Sequence, residues 1–181
     1  NYLLHEISYE ELPEADFSNS VFLGNSKIEG LMNSGLILEA DYICKVGWNV
    51  AKAFTETDEV SEGLLIDKVN NREYNKVFLM FGDNELGWAY PEEFIEDYKK
   101  LVHEIQSRQS NASIYIMSIF PVSKKIDEKG KFGVTKENIL IFNELLKKMC
   151  EEENLYYLDI YSVLADENGM LPDEASYDGV H

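Results

Sequence analysis

Apolar residues fall into two kinds of stretch along this chain: short, nearly continuous runs, and longer segments in which they recur every three or four positions. The first kind suits β-strands buried on both faces and the second suits amphipathic helices, so their alternation predicts a parallel sheet covered by crossover helices. Strands are expected at residues 21–23, 42–46, 77–81, 114–119 and 156–160. The third and fourth runs are so continuously apolar that helices must cover both sides of the sheet.

The clearest helix begins at Pro91, a residue suited to the first helical position, with Glu92 and Glu93 where the helix dipole favours acids. Phe94, Tyr98, Leu101 and Ile105 mark its buried stripe beside Ile95 and Val102, leaving Glu96, Lys99 and His103 towards water. A second helix is expected after a Thr135 cap, buried through Ile139, Phe142, Leu146 and Met149 and ending at 151–154. Weaker helical patterns lie at 28–38 and 62–69. Residues 121–133, with four lysines and two glycines, read as one long surface loop. Residues 1–19 are acidic and weakly patterned, which suggests a lead-in strap across the surface. With no repeat and no linker, the chain reads as a lead-in over 1–16 and one α/β domain over 17–181.

Composition narrows the partners. The 181 residues are 45% hydrophobic and 28% charged, ordinary globular usage. Sixteen Lys and Arg against 34 Asp and Glu give a net charge of −18, a surface field that repels nucleic acid and anionic lipid. Cys44 and Cys150 form no C-x-x-C pair, so neither a disulfide framework nor a zinc site is expected. The acidic runs 151–153 and 166–167 do not fit a Ca²⁺ loop, and no metal is inferred. No apolar run approaches the roughly 18 residues of a membrane span. The start at Asn1 and the end at His181 leave room for a removed leader or a missing tail, and the compartment stays open.

In an open parallel sheet, ligands collect beyond the carboxyl ends of the strands. There Ser26, in Gly24-Asn25-Ser26, falls at a strand-to-helix turn with its hydroxyl exposed and the helix dipole favouring an oxyanion. A serine nucleophile needs a base. His5 lies in the lead-in and His103 on a solvated helix face, whereas His181 follows Asp178 at a spacing that can bring a carboxylate to its imidazole. After the third strand, Asn84 in Gly82-Asp83-Asn84 offers an amide donor, and after the second, Gly47 offers an unobstructed N–H. Each residue also has a purely structural use: Asn25 and Ser26 as a helix cap, Asp83 and Asn84 as turn residues, Gly47 as a helix-entry turn, and His181 as an incidental histidine on an acidic loop.

Taken in order, Gly24-Asn25-Ser26, Gly47, Gly82-Asp83-Asn84 and Asp178-Gly179-Val180-His181 resemble the four sequence blocks of the SGNH hydrolases, the GDSL esterase/lipase family. The resemblance runs from about Phe17 to the last residue. It implies a three-layer α/β/α sandwich, flavodoxin-like, with a five-stranded parallel sheet in the order 2-1-3-4-5. It also implies a catalytic triad of Ser26, His181 and Asp178, an oxyanion hole made by the Ser26 and Gly47 amides with the Asn84 side chain, and no cofactor. Two departures stand out: the first block carries Asn25 and Lys27 where the family has Asp and Leu, and the family's closing helix after the histidine is missing. Trp48, Trp88 and Tyr90 are expected near the mouth of the site, where a carbohydrate could stack, or else packed beneath their own loops. The implied activity is hydrolysis of a carboxylic ester with a short acyl group, such as O-acetyl on a sugar. Competing readings are an acyltransferase using the same serine, a non-catalytic glycan- or protein-binding module, and a phosphate-binding protein, the last without either G-x-G-x-x-G or G-x-x-x-x-G-K-[ST].

Overall fold

The computed structural model describes residues 15–58, 60 and 63–181. Strands β1 (Ser20–Gly24), β2 (Asp41–Cys44), β3 (Lys76–Met80), β4 (Ser113–Met117) and β5 (Tyr156–Leu158) form one parallel sheet in the order β2-β1-β3-β4-β5. Among the described residues five α-helices flank or follow them: α1 (Ser26–Ser34), α2 (Pro91–Arg108), α3 (Lys124–Lys129), α4 (Lys136–Glu153) and α5 (Ile160–Leu164). This is the α/β/α architecture and strand order expected from the sequence.

Alternation along each strand divides the core. Val21, Leu23, Val77, Leu79, Ile114 and Ile116 join the larger cluster with the buried stripes of α2 and α4. Phe22, Phe78, Met80 and Met117 join Ile28 of α1 in the smaller one. On that second face an aromatic ladder crosses the whole sheet. Tyr42, Phe22, Phe78, Tyr115 and Tyr156 are cross-strand partners, with successive ring centroids 5.6, 4.5, 4.9 and 4.8 Å apart. Such in-register pairs resist slippage of one strand against the next.

Local chemistry accounts for the element ends. The Thr135 hydroxyl accepts from the Asn138 N–H at the start of α4, and Asn154 closes that helix in a left-handed conformation. The expected strand over 156–160 stops at Leu158 because Asp159 caps α5, accepting from the Ser162 N–H. Likewise β4 ends at Met117, short of Ile119, where Ser118 and Ile119 turn to meet Tyr161 and Asn143. The weak helix over 28–38 ends at Ser34, since Gly35 turns left-handed (φ 66°). The pattern at 62–69 becomes a 3-10 turn at Leu65–Asn71.

One segment differs from expectation. Residues 121–133 are not a long loop but α3 followed by a 3-10 turn, Lys131–Gly133. Its lysines read as solvent-exposed, but the turn is docked through Asn138, whose Nδ2 donates to the nearby Gly133 carbonyl at 2.9 Å and to the distant Leu86 carbonyl at 3.4 Å. The expected strap over 1–19 lies outside the described residues up to residue 14; beyond that, Phe17 packs against Phe22 and Phe78. Among the described residues no helix is long and apolar enough to cross a membrane, both cysteines are free, and no side-chain cluster could hold a metal ion.

Candidate active site

The carboxyl ends of β1, β2 and β3 deliver three turns to one rim. β1 closes on Gly24, where a Cβ would run into the Met80 carbonyl and Ile28, so only glycine lets β1 lie this close to β3. Asn25 then caps α1, its Oδ1 accepting from the Lys27 N–H at 3.0 Å. Ser26 is the first helical residue, and helix geometry leaves its N–H without an intrahelical acceptor.

The cap is tied to the β3 turn by a part-buried network. Asp83 accepts from Asn25 Nδ2 at 2.9 Å through one oxygen and from Lys27 Nζ at 2.7 Å through the other. The Lys27 side chain is 2% exposed and its ammonium also lies 5.3 Å from the Phe120 ring centroid. The two departures in the first block are therefore accounted for together: amide and ammonium at positions 25 and 27 share one carboxylate, supplied from position 83.

The last residues approach from the opposite side. Asp178 Oδ1 accepts from the backbone N–H groups of Val180 and His181, at 2.9 and 2.8 Å, which folds residues 178–181 into a tight turn. That turn is fastened to the start of α3, where the Ser123 N–H donates to the Gly179 carbonyl at 2.9 Å. Asp178 Oδ2 lies 2.6 Å from His181 Nδ1, and His181 Nε2 lies 2.9 Å from Ser26 Oγ. With Nδ1–H donating to the carboxylate, Nε2 is left as an acceptor facing the hydroxyl. Partial burial pushes the Asp178 carboxyl up, but the His181 N–H and ring and the Val180 N–H outweigh it and hold the group well below the usual carboxylate range.

Gly47 follows β2 with a left-handed φ of 75° that favours glycine, and it is exposed. Asn84 is exposed on the β3 turn and donates through Nδ2 to the Trp48 carbonyl at 3.0 Å. Behind both sits Glu85, fully buried, accepting from the Val50 N–H at 2.9 Å and the Gly82 N–H at 3.1 Å. Burial pushes its carboxyl up to about 7 despite these donors. Composition gave no signal of this, because an acid in a Gly-Asp-Asn-Glu turn reads as a solvated one.

Ser26 and His181 open onto a cavity of about 340 Å³ with an apolar floor of Leu86, Val122, Ile126, Val134 and Val180. Two of these five residues, Val122 and Ile126, belong to the segment read from sequence as a loop. The aromatic expectations need correction. Trp48 is fully buried, edge-on to Phe81 at 5.1 Å, because an indole this large fills the core under its own loop. Tyr90 is 65% exposed and is not part of the wall of the cavity beside Ser26. Trp88 lines a second cavity, of about 500 Å³, which also has Phe132 in its wall and shares Asn84 and Leu86 with the first. His103 faces solvent and bonds Glu153 at 2.7 Å, while His5 is outside the described residues.

The profile of the GDSL-like Lipase/Acylhydrolase family matches residues 38–181, starting downstream of Ser26. Among solved structures, a protein from Streptococcus pneumonia assigned as a platelet activating factor is 18% identical with a TM-score of 0.72, over 93% of this chain and 78% of that one. A GDSL-like lipase from Bacteroides thetaiotaomicron is 14% identical with a TM-score of 0.67, over 94% and 83%. A catalytic mutant of an acetylxylan esterase from Geobacillus stearothermophilus is 16% identical with a TM-score of 0.57, over 90% and 85%. At such identities the likeness is one of fold. No curated protein gives a significant match. With the family profile spanning most of its length, the chain belongs to the GDSL-like lipase/acylhydrolase family, the SGNH hydrolases.

Proposed function

We propose that the chain is a serine esterase that hydrolyses carboxylic esters of short acyl groups, with O-acetyl groups on carbohydrate as the substrate class. In this reading Ser26 Oγ attacks the ester carbonyl while His181 Nε2 takes its proton. Asp178 orients the imidazole and stabilises the imidazolium that forms. The Ser26 and Gly47 N–H groups and Asn84 Nδ2 donate to the developing oxyanion, each donor worth about 2.7–4 kcal/mol of barrier. His181 then returns the proton to the leaving alkoxide, and a water activated by the same imidazole releases the acyl group from Ser26.

The observation that carries this reading is the pair of distances at His181: 2.9 Å from Nε2 to Ser26 Oγ and 2.6 Å from Nδ1 to Asp178 Oδ2. A short acyl group is supported by the modest apolar cavity beside the serine. A carbohydrate leaving group is supported by the adjoining cavity, whose wall includes Trp88 and Phe132, rings of the kind on which sugars stack. A structural neighbour that is an acetylxylan esterase points the same way.

Labelling with a fluorophosphonate probe and hydrolysis of p-nitrophenyl acetate and acetylated xylan test the proposal. The parent is expected to label at Ser26 and release acetate, and Ser26→Ala to do neither. A folded protein that leaves both the probe and the esters untouched would overturn it.

A further inference from the structure

We infer that Glu85 is the positioning residue of the oxyanion hole: its buried carboxylate laces the turn bearing Asn84 to the loop bearing Gly47. The inference rests on the esterase reading and adds to it a residue that touches no substrate. Glu85 is 0% exposed and makes no ion pair among the described residues. Burying an unpaired carboxylate is costly unless its oxygens are satisfied, so the partners it does have carry the argument. They are backbone N–H groups on two separate strand-end loops: Val50, three residues after Gly47, at 2.9 Å, and Gly82, two residues before Asn84, at 3.1 Å.

A third bond runs the other way across the same gap, from Asn84 Nδ2 to the Trp48 carbonyl at 3.0 Å. Together the three bonds fix the two loops that supply two of the three proposed oxyanion donors. One oxygen serves each loop, so neither loop can shift without losing a bond to a buried carboxyl oxygen. Displacement of a donor by a fraction of an ångström weakens its hold on the oxyanion far more than its hold on the substrate carbonyl.

Glu85→Gln keeps the size but replaces one acceptor oxygen with an amide NH2, a donor that faces a backbone N–H. For p-nitrophenyl acetate we expect kcat to fall about 10-fold or more, with KM within about 3-fold and the concentration of probe-reactive sites unchanged. In an Asn84→Ala background the same change should lower kcat by less than about 3-fold, because one of the groups it positions has gone. Amide hydrogen exchange at Val50 or Gly82, whichever N–H loses its acceptor, should accelerate in Glu85→Gln. Three results would each overturn the inference: an unchanged kcat, an equal fold-loss in both backgrounds, or a kcat loss matched by lost probe-reactive sites. If the parent turns over no ester, the esterase reading fails separately. Exchange at Val50 and Gly82 then decides alone, since faster exchange at either upholds the clamp and unchanged exchange at both ends it.

Discussion

Asn84 illustrates how much a single amide can be asked to do. One N–H of Nδ2 is held by the Trp48 carbonyl, which fixes the side chain in place and leaves the other N–H for an oxyanion. Asn84→Ala is therefore expected to lower kcat on p-nitrophenyl acetate about 10²–10³-fold with a much smaller change in KM, as read by steady-state kinetics. At this scale legibility differs sharply between neighbours. Ser26, Asn84, Asp178 and His181 sit in short local motifs, so sequence alone singles them out. Trp48 and Glu85 do not announce themselves: an indole beside a glycine and an acid in a polar turn look exposed until the two loops are seen to close over them.

Elements show the same division. α2 and α4 follow from their caps and apolar stripes, which are properties of a few turns of chain. α3 does not, because Ser123 makes no side-chain cap bond and no residue of the helix is buried; it is held by the Asp178 turn, whose Gly179 carbonyl accepts from the Ser123 N–H, and by the Lys136 N–H, which donates to Asp127. The start of α1 is likewise held from outside, through the Lys27 to Asp83 pair at 2.7 Å. Removing one partner of a buried pair strands the other charge, so Lys27→Met should destabilise by about 3 kcal/mol in urea unfolding, and Lys27→Met with Asp83→Asn should recover most of that. A loss no larger than that of the double variant would place the bond among the weak ones.

At the scale of the whole molecule, two of the 34 acidic residues are displaced far from the ordinary carboxyl range, in opposite directions. Glu85 has a carboxyl raised from an ordinary 4.5 to about 7, by burial first and then by nearby Asp83, so between those values the folded state binds more protons than the unfolded chain. Its contribution to stability therefore diminishes as pH rises from about 4.5 to about 7. Asp178 is shifted downward, so its contribution is present above about 3.8 and is lost as pH falls below that, outside the Glu85 window. Urea unfolding of the parent relative to Glu85→Gln should accordingly favour the parent more at about pH 5 than at about pH 8, by on the order of 2–3 kcal/mol. A difference that does not vary with pH would mean Glu85 titrates normally. By itself the sequence determined the strands, the principal helices, the sheet order through its family resemblance, and the short motifs at the strand ends, because hydrophobic period and turn chemistry act over a few residues. Only the tertiary structure decided that the Val50 N–H meets the Glu85 carboxyl across 35 residues, and the distance at which Ser26 and His181, paired by the resemblance, approach each other across 155. Those contacts depend on how five strands are ordered and how their loops close over one another, and no local pattern encodes that distance.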